Sequence, residues 1–159
     1  MEENTGRAEV LRIAYRMEKH VEGGSFSEMY TAPSGQDGRP LAGSIYYLLG
    51  TGEVSRFHRI DCDEIWYYHE GCGMKLTVLD GDGKRVFRLG RNVSEGERAA
   101  VMIPAGCIFA AENLQADGFT FVSCVTVPKF EESGYRLISR NEILEKYPQY
   151  FGEIGHLAW

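Results

Sequence analysis

The chain has 159 residues, is 43% hydrophobic, and carries 17 basic against 23 acidic side chains for a net charge of −6. That length suits one domain over 1–159, able to bury roughly two thirds of its unfolded surface without staples. No basic stripe offers itself to a phosphate backbone, no stretch nears the ~20 apolar residues of a membrane span, and no signal-like apolar run opens the chain, so a soluble cytoplasmic protein without nucleic-acid or membrane partners is expected.

The elements start with a helix. Residues 8–17 place apolar side chains at 10, 13, 14 and 17, the spacing of one amphipathic face. The period then shortens to that of strands at 25–31, 44–49, 55–60, 64–69, 74–79, 85–89, 98–103, 107–112 and 119–127. Glycine-rich turns such as Gly50-Thr-Gly52, Gly71-Cys-Gly73, Asp80-Gly-Asp-Gly83 and Pro104-Ala-Gly106 separate them. Short strands punctuated by 19 glycines predict an all-β antiparallel barrel or jelly roll, with its core at about 24–138. Ser139-Arg-Asn-Glu142 reads as a capping box opening a short helix with Ile143, Leu144 and Tyr147 on its apolar face and Pro148 as its stop. The tail 149–159 has no periodic pattern, but Tyr150, Phe151 and Trp159 ask for a docking surface, for which a partner subunit is one option. Cys62, Cys72, Cys107 and Cys124 form no C-x-x-C pair and read as reduced thiols.

Chemistry concentrates in the hairpin 55–60/64–69. Alternation puts Arg56, His58 and Ile60 on one face of the first strand, and Glu64, Trp66 and Tyr68 on one face of the second. With His58 and Glu64 pointing into a barrel, the lumen holds a base, a carboxylate and two aromatic walls, which suits a small polar ligand with a flat face. Glu64 would then fix the tautomer of His58 and raise its basicity, and Tyr46, Tyr47 or Tyr68 would act as acid across a bound ring. Such a set supports removal of a proton next to a carbonyl, as in an epimerase or isomerase.

Gly52, His58, Glu64 and Gly71, followed by Pro104, Gly106 and Asn113, keep the spacing G-x5-H-x-H-x3-4-E-x6-G…G-x5-P-x-G-x2-H-x3-N. This resembles the signature of metal-binding cupins, but Ile60 and Phe109 stand at two of its His ligand positions and Arg98 at its second opening Gly. His20-Val-Glu-Gly-Gly-Ser-Phe-Ser-Glu-Met-Tyr30, His58-Arg-Ile-Asp-Cys-Asp-Glu-Ile-Trp66, Ile103-Pro-Ala-Gly106 and Cys124-Val-Thr-Val-Pro-Lys-Phe130 narrow the likeness to an uncharacterised cupin family across about 10–148. The resemblance implies a double-stranded β-helix barrel with an N-terminal and a short C-terminal helix, assembled as a homodimer. The same segments distantly resemble the non-metal nucleotide-sugar epimerases: Gly24, Phe26 and Glu28 match one motif and His58 the catalytic base, whereas Gly23, Ile60 and Phe109 replace an Arg, a Gln and a His.

The expected site therefore has His58 and Glu64 as its catalytic pair and Glu28, Tyr46, Arg56, Trp66, Tyr68, Phe109 and Asn113 around a small polar organic ligand. No cofactor is expected, because two protein ligands hold a transition metal weakly; a weak metal site through His58 and Glu64 stays open. A non-enzymatic binding or sensing module, or a metal-dependent cupin with a reduced ligand set, are the competing readings.

Overall fold

Alternating side chains give each strand an apolar side that must be covered, and two facing sheets meet that demand. The computed structural model describes residues 2–81 and 83–159. In the first sheet the spatial order is β1 (Glu18–Lys19), β2 (Ser25–Thr31), β3 (Gly43–Leu49), β11 (Thr120–Val127), β5 (Asp63–Gly71) and β9 (Ala100–Ile103). In the second it is β12 (Arg136–Leu137), β4 (Val54–Arg59), β10 (Ile108–Asn113), β6 (Met74–Asp80), β7 (Gly83–Leu89) and β8 (Glu97–Arg98). Neighbours run antiparallel except β7 and β8. Trp66, Met74, Leu76, Phe109 and Val122 fill the space between the sheets. This is the jelly-roll barrel expected, with two differences. The strand expected at 98–103 divides at Ala99, its first part pairing with β7 and its second with β5. The hairpin expected from 55–60 and 64–69 does not form, because β4 and β5 pass into opposite sheets and face each other across the lumen.

The first helix, α1 (Glu2–Ala14), lies one turn earlier than its apolar spacing suggests and turns a different face inward. Ala8 and Leu11 are buried against Leu48, Phe119 and Phe121, while Val10 and Ile13 are 53% and 71% exposed. Ion pairs from Arg7 to Glu70 (2.7 Å) and Arg12 to Glu53 (3.0 Å) flank that face and hold its rotation. Among the described residues no helix is long and apolar enough to cross a membrane. The four thiols are free, Cys62 and Cys124 being buried.

The capping signal at Ser139 is half realised. Its hydroxyl accepts the Glu142 N–H at 3.2 Å and starts α2 (Arg140–Lys146), but the Glu142 carboxylate turns to Arg136 and Lys146 instead of back to the cap. The tail docks on its own barrel. After α3 (Phe151–Ile154), Leu157 and Ala158 bury against Phe57, Leu79, Ile108 and Ala110, on the outer side of the second sheet. Trp159 clamps the end by donating its N–H to Ile138 O (3.1 Å) and accepting the Arg140 N–H (2.7 Å). Leu157 is fully buried, so Leu157→Ala is expected to destabilise the fold by about 2 kcal/mol or more. Urea denaturation reads this directly; a change under about 0.5 kcal/mol, the size typical of a surface site, would mean a tail that is only loosely held.

Candidate functional site

The turn between β1 and β2 carries the first site residues. Gly23 and Gly24 adopt φ of +114° and +74°, a region open to glycine at little cost. The turn runs hard against β4 and β3: Arg56 N–H donates to Glu22 O (2.9 Å), and the Tyr47 hydroxyl donates to Gly23 O. These contacts hold the Glu22 side chain inside the barrel, 7% exposed.

A bulge in β4 supplies the next. His58 pairs with Phe109 and Ser55 with Ala111, so Arg56 and Phe57 together oppose Ala110 alone. The extra residue breaks the alternation. Ser55 and His58 both face the lumen, while Arg56 leaves it for the Ala158 carbonyl (3.3 Å) and the Trp159 ring (5.6 Å).

His58 is 2% exposed, with Nδ1 2.7 Å from the Arg56 carbonyl. A carbonyl only accepts, so Nδ1 carries a proton and Nε2 is left facing Glu22 Oε2 at 3.2 Å. A hydrogen bond between those two atoms requires one proton, whichever of them carries it. Glu22 Oε1 accepts the Ser55 hydroxyl at 2.8 Å. His20 Nδ1 accepts the Glu22 N–H at 3.2 Å, which places its own proton on Nε2. The carboxylate that orients His58 is thus Glu22, and the expected partnership with Glu64 is corrected: the ion pair that His58 makes is with the turn residue.

Glu64 stands on β5, 8% exposed. Burial, reinforced by the negative charge of Glu22 and partly opposed by a hydrogen bond with Cys124, pushes its carboxyl up to about 8. Burial likewise pushes the Cys124 thiol up, keeping it protonated beside Glu64.

These groups share a cavity of about 750 Å³. His20, Glu22, His58, Glu64 and Thr126 are among its polar lining, Phe26, Ile45, Ile60, Phe130 and Tyr135 form apolar wall, and Glu18, Lys19, Glu28, Lys129 and Glu132 add charge to the lining. Among the described residues the Ser44 and Tyr135 hydroxyls are buried without a hydrogen-bond partner.

Of the residues expected around the ligand, Glu28 lines the cavity, bonded to Lys129 and Thr31, both of which hold its carboxyl below the usual range. The others are placed elsewhere. Tyr46 lies on the outer side of β3 with Tyr15 and Phe121, and its neighbour Tyr47 takes the inner side. Trp66 is 1% exposed, wedged edge-on between Tyr47 and Phe109 in the core. The Tyr68 hydroxyl donates to Gly71 O, and Asn113 ties the Leu49, Gly50 and Gly118 carbonyls together while accepting from Thr120. Phe109 backs the His58 ring at 4.3 Å from behind. Glu22, His20, Ser44 and Tyr135 were not anticipated in the site. The paired glycines after Glu22 were the available signal, because a turn forced to positive φ at both delivers its neighbour inward; Tyr135 has none.

Residues 11–138 match the family described as "Cupin superfamily (DUF985)". A crystallised protein from Shewanella oneidensis is 36% identical, with a TM-score of 0.91 over 96% of this chain and 97% of that one. A hypothetical protein from Leishmania major is 27% identical, with a TM-score of 0.86 over 96% and 98%. Oxalate decarboxylase from Bacillus subtilis, 18% identical with a TM-score of 0.53 over 87% of this chain and 33% of its own, shares the fold alone. No curated protein matches the sequence significantly. The metal that cupins commonly bind does not fit the donors present. Ile60 and Phe109, both buried, have no coordinating atom where imidazoles would be required, and among the described residues no group of three or more His, Cys, Asp or Glu is placed to hold a metal ion.

Proposed function

Because the chain belongs to the cupin family described as DUF985, we propose that its barrel cavity binds a small polar organic molecule and shifts a proton on it without metal assistance, in the manner of an epimerase or isomerase. The observation that carries this reading is the meeting of two acid–base groups in one cavity: a buried Glu64, and a Glu22–His58 pair in contact at 3.2 Å. Environments that separate the behaviour of neighbouring carboxyls are how acid and base roles are divided in one site. Both nitrogens of His58 are engaged, so the group free to meet substrate is Glu64, held near 8 and able to gain or lose a proton at neutral pH.

The step balances within these groups. Ionised Glu64 takes the proton from the carbon next to a carbonyl, and the C–H electrons pass into an enediolate. The proton of the Glu22–His58 contact moves toward the developing oxygen charge. Return of the proton from Glu64 to the adjacent carbon gives an isomer; delivery of a solvent proton to the opposite face of the same carbon, with Glu64 releasing its own to water, gives an epimer.

The test is deuterium uptake at that carbon, followed by NMR in heavy water, across a panel of aldoses, ketoses and amino ketones. Wild-type protein is expected to label at least one of them, faster as pH rises toward about 8 where Glu64 ionises, and Glu64→Gln to label it at least about a hundredfold more slowly. Labelling that survives Glu64→Gln, or a panel untouched by wild type, would reject the assignment. Binding of a panel member without labelling would leave the same cavity as a sensing or carrier module.

A further inference from the structure

We propose that the ligand of this cavity carries a protonated amine and that Glu64 is its counter-ion. The inference rests on the cavity holding a small molecule and narrows which class it takes. Five carboxyl groups line the space against two lysines, and no arginine does. Lys129 is already bound to Glu28 and Thr31, and Lys19 stands exposed. A phosphate or carboxylate entering the barrel would therefore meet Glu22 and Glu64 with no unengaged buried cation to receive it.

An ammonium group meets the reverse. Glu64 is buried with only a thiol, a weak donor, beside it. A primary ammonium has three N–H donors and no acceptor, which matches a buried carboxylate with no cation beside it among the described residues. Phe26, Phe130 and Tyr135 add aromatic surface, to which a cation is attracted. A buried carboxyl in a carboxyl-rich, aromatic-walled cavity is the chemistry that recognises an amine or amino sugar.

The titratable groups that line the cavity with Glu64 are Glu18 and Lys19 of β1, His20 and Glu22 of the β1–β2 turn, Glu28 and Tyr30 of β2, His58 of β4, Cys124 of β11, and Lys129, Glu132 and Tyr135 between β11 and β12. Of the two lysines, Lys129 is bound to Glu28 and Lys19 is exposed, so entry of an ammonium beside Glu64 displaces the proton of that carboxyl.

Calorimetric titration with cyclohexylamine, cyclohexanol and cyclohexanecarboxylate, which share one scaffold and differ in charge, tests the assignment. The amine is expected to bind wild type at least about tenfold more tightly than the alcohol, and the carboxylate most weakly of the three. Amine affinity in wild type should rise by up to about tenfold per pH unit between roughly pH 6 and 8, as Glu64 gives up its proton. Glu64→Gln should flatten that rise and bring the amine level with the alcohol; the wild-type pH series decides alone should this variant fail to fold. A tighter carboxylate, no preference for the amine, no amine binding, or a preference intact in Glu64→Gln would overturn the proposal. Deuterium uptake into a neutral carbonyl compound without amine preference would refute this assignment and leave the acid–base reading standing. Amine binding without any uptake would do the opposite.

Discussion

Between pH 4.5 and about 8 the wild-type fold is expected to lose up to about 5 kcal/mol of stability, and Glu64→Gln to remove that loss. In the unfolded chain Glu64 gives up its proton at its ordinary 4.5, whereas in the barrel burial and the charge of Glu22 hold the proton until about 8. Over that interval the folded state binds a proton that the unfolded state lacks, so stability falls as pH rises. The contribution is fully present below 4.5 and gone above about 8. Carboxyls held low by cations, such as Glu28 with Lys129 and Glu142 with Arg136, act in the opposite sense: their contribution is lost only as acid protonates them. Glu28 is solvent-facing, which keeps its share small, and both titrate below the Glu64 window. Urea denaturation of wild type and Glu64→Gln at intervals across this range separates the two effects, and parallel curves for the two proteins would disprove the assignment. Glu22→Gln removes the second cause but not burial, so it should move the wild-type loss to lower pH without abolishing it.

The fold was legible because strand period and turn chemistry are local, and every expected strand but the divided one at 98–103 reappears within two residues at its ends. The site was less so, because which face a residue takes depends on register as well as on alternation. Strict alternation put Arg56 beside His58, and the bulge opposite Ala110 sends it out to Trp159. Tyr46 and Tyr47 are neighbours of one residue type, and only the packing of α1 on the outer side decides which ring lies inside. Trp66 keeps the inward parity expected of it but is enclosed by Tyr47 and Phe109 before it reaches the cavity. Asn113 occupies a signature position, and its amide is used up tying strand ends together. His58 and Glu64 could be read from spacing because the two consecutive strands that carry them, although they lie in facing sheets, both turn these side chains into the same lumen. Glu22 could not, since the contact from the β1–β2 turn to β4 joins residues more than thirty positions apart.

Gly23→Ala is expected to destabilise the protein by roughly 3–5 kcal/mol and to uncouple His58 from Glu22. A Cβ at this position would stand 1.9 Å from the Val54 carbonyl oxygen, and φ is +114°. Both clashing partners are backbone, so no rotamer change relieves the contact. The turn must move, and with it go the Arg56 N–H bond to Glu22 O and the Tyr47 hydroxyl bond to Gly23 O. Glu22 then leaves its place between Ser55 and His58, and each of those buried groups loses a partner. Gly38→Ala is the matching control: φ is +85° but nothing lies within 4 Å of a Cβ, so only the backbone conformation is strained, at about 1 kcal/mol. Equal losses in the two variants would show that conformational strain alone matters and that the close approach to β4 does not. The same geometry bears on ligand class. Any side chain longer than that of glycine at position 23 would meet the Val54 carbonyl in the same way. The turn that delivers Glu22 to His58 is therefore incompatible with a guanidinium grip on phosphate from that position, and the barrel is left with carboxyls where such a ligand would need cations.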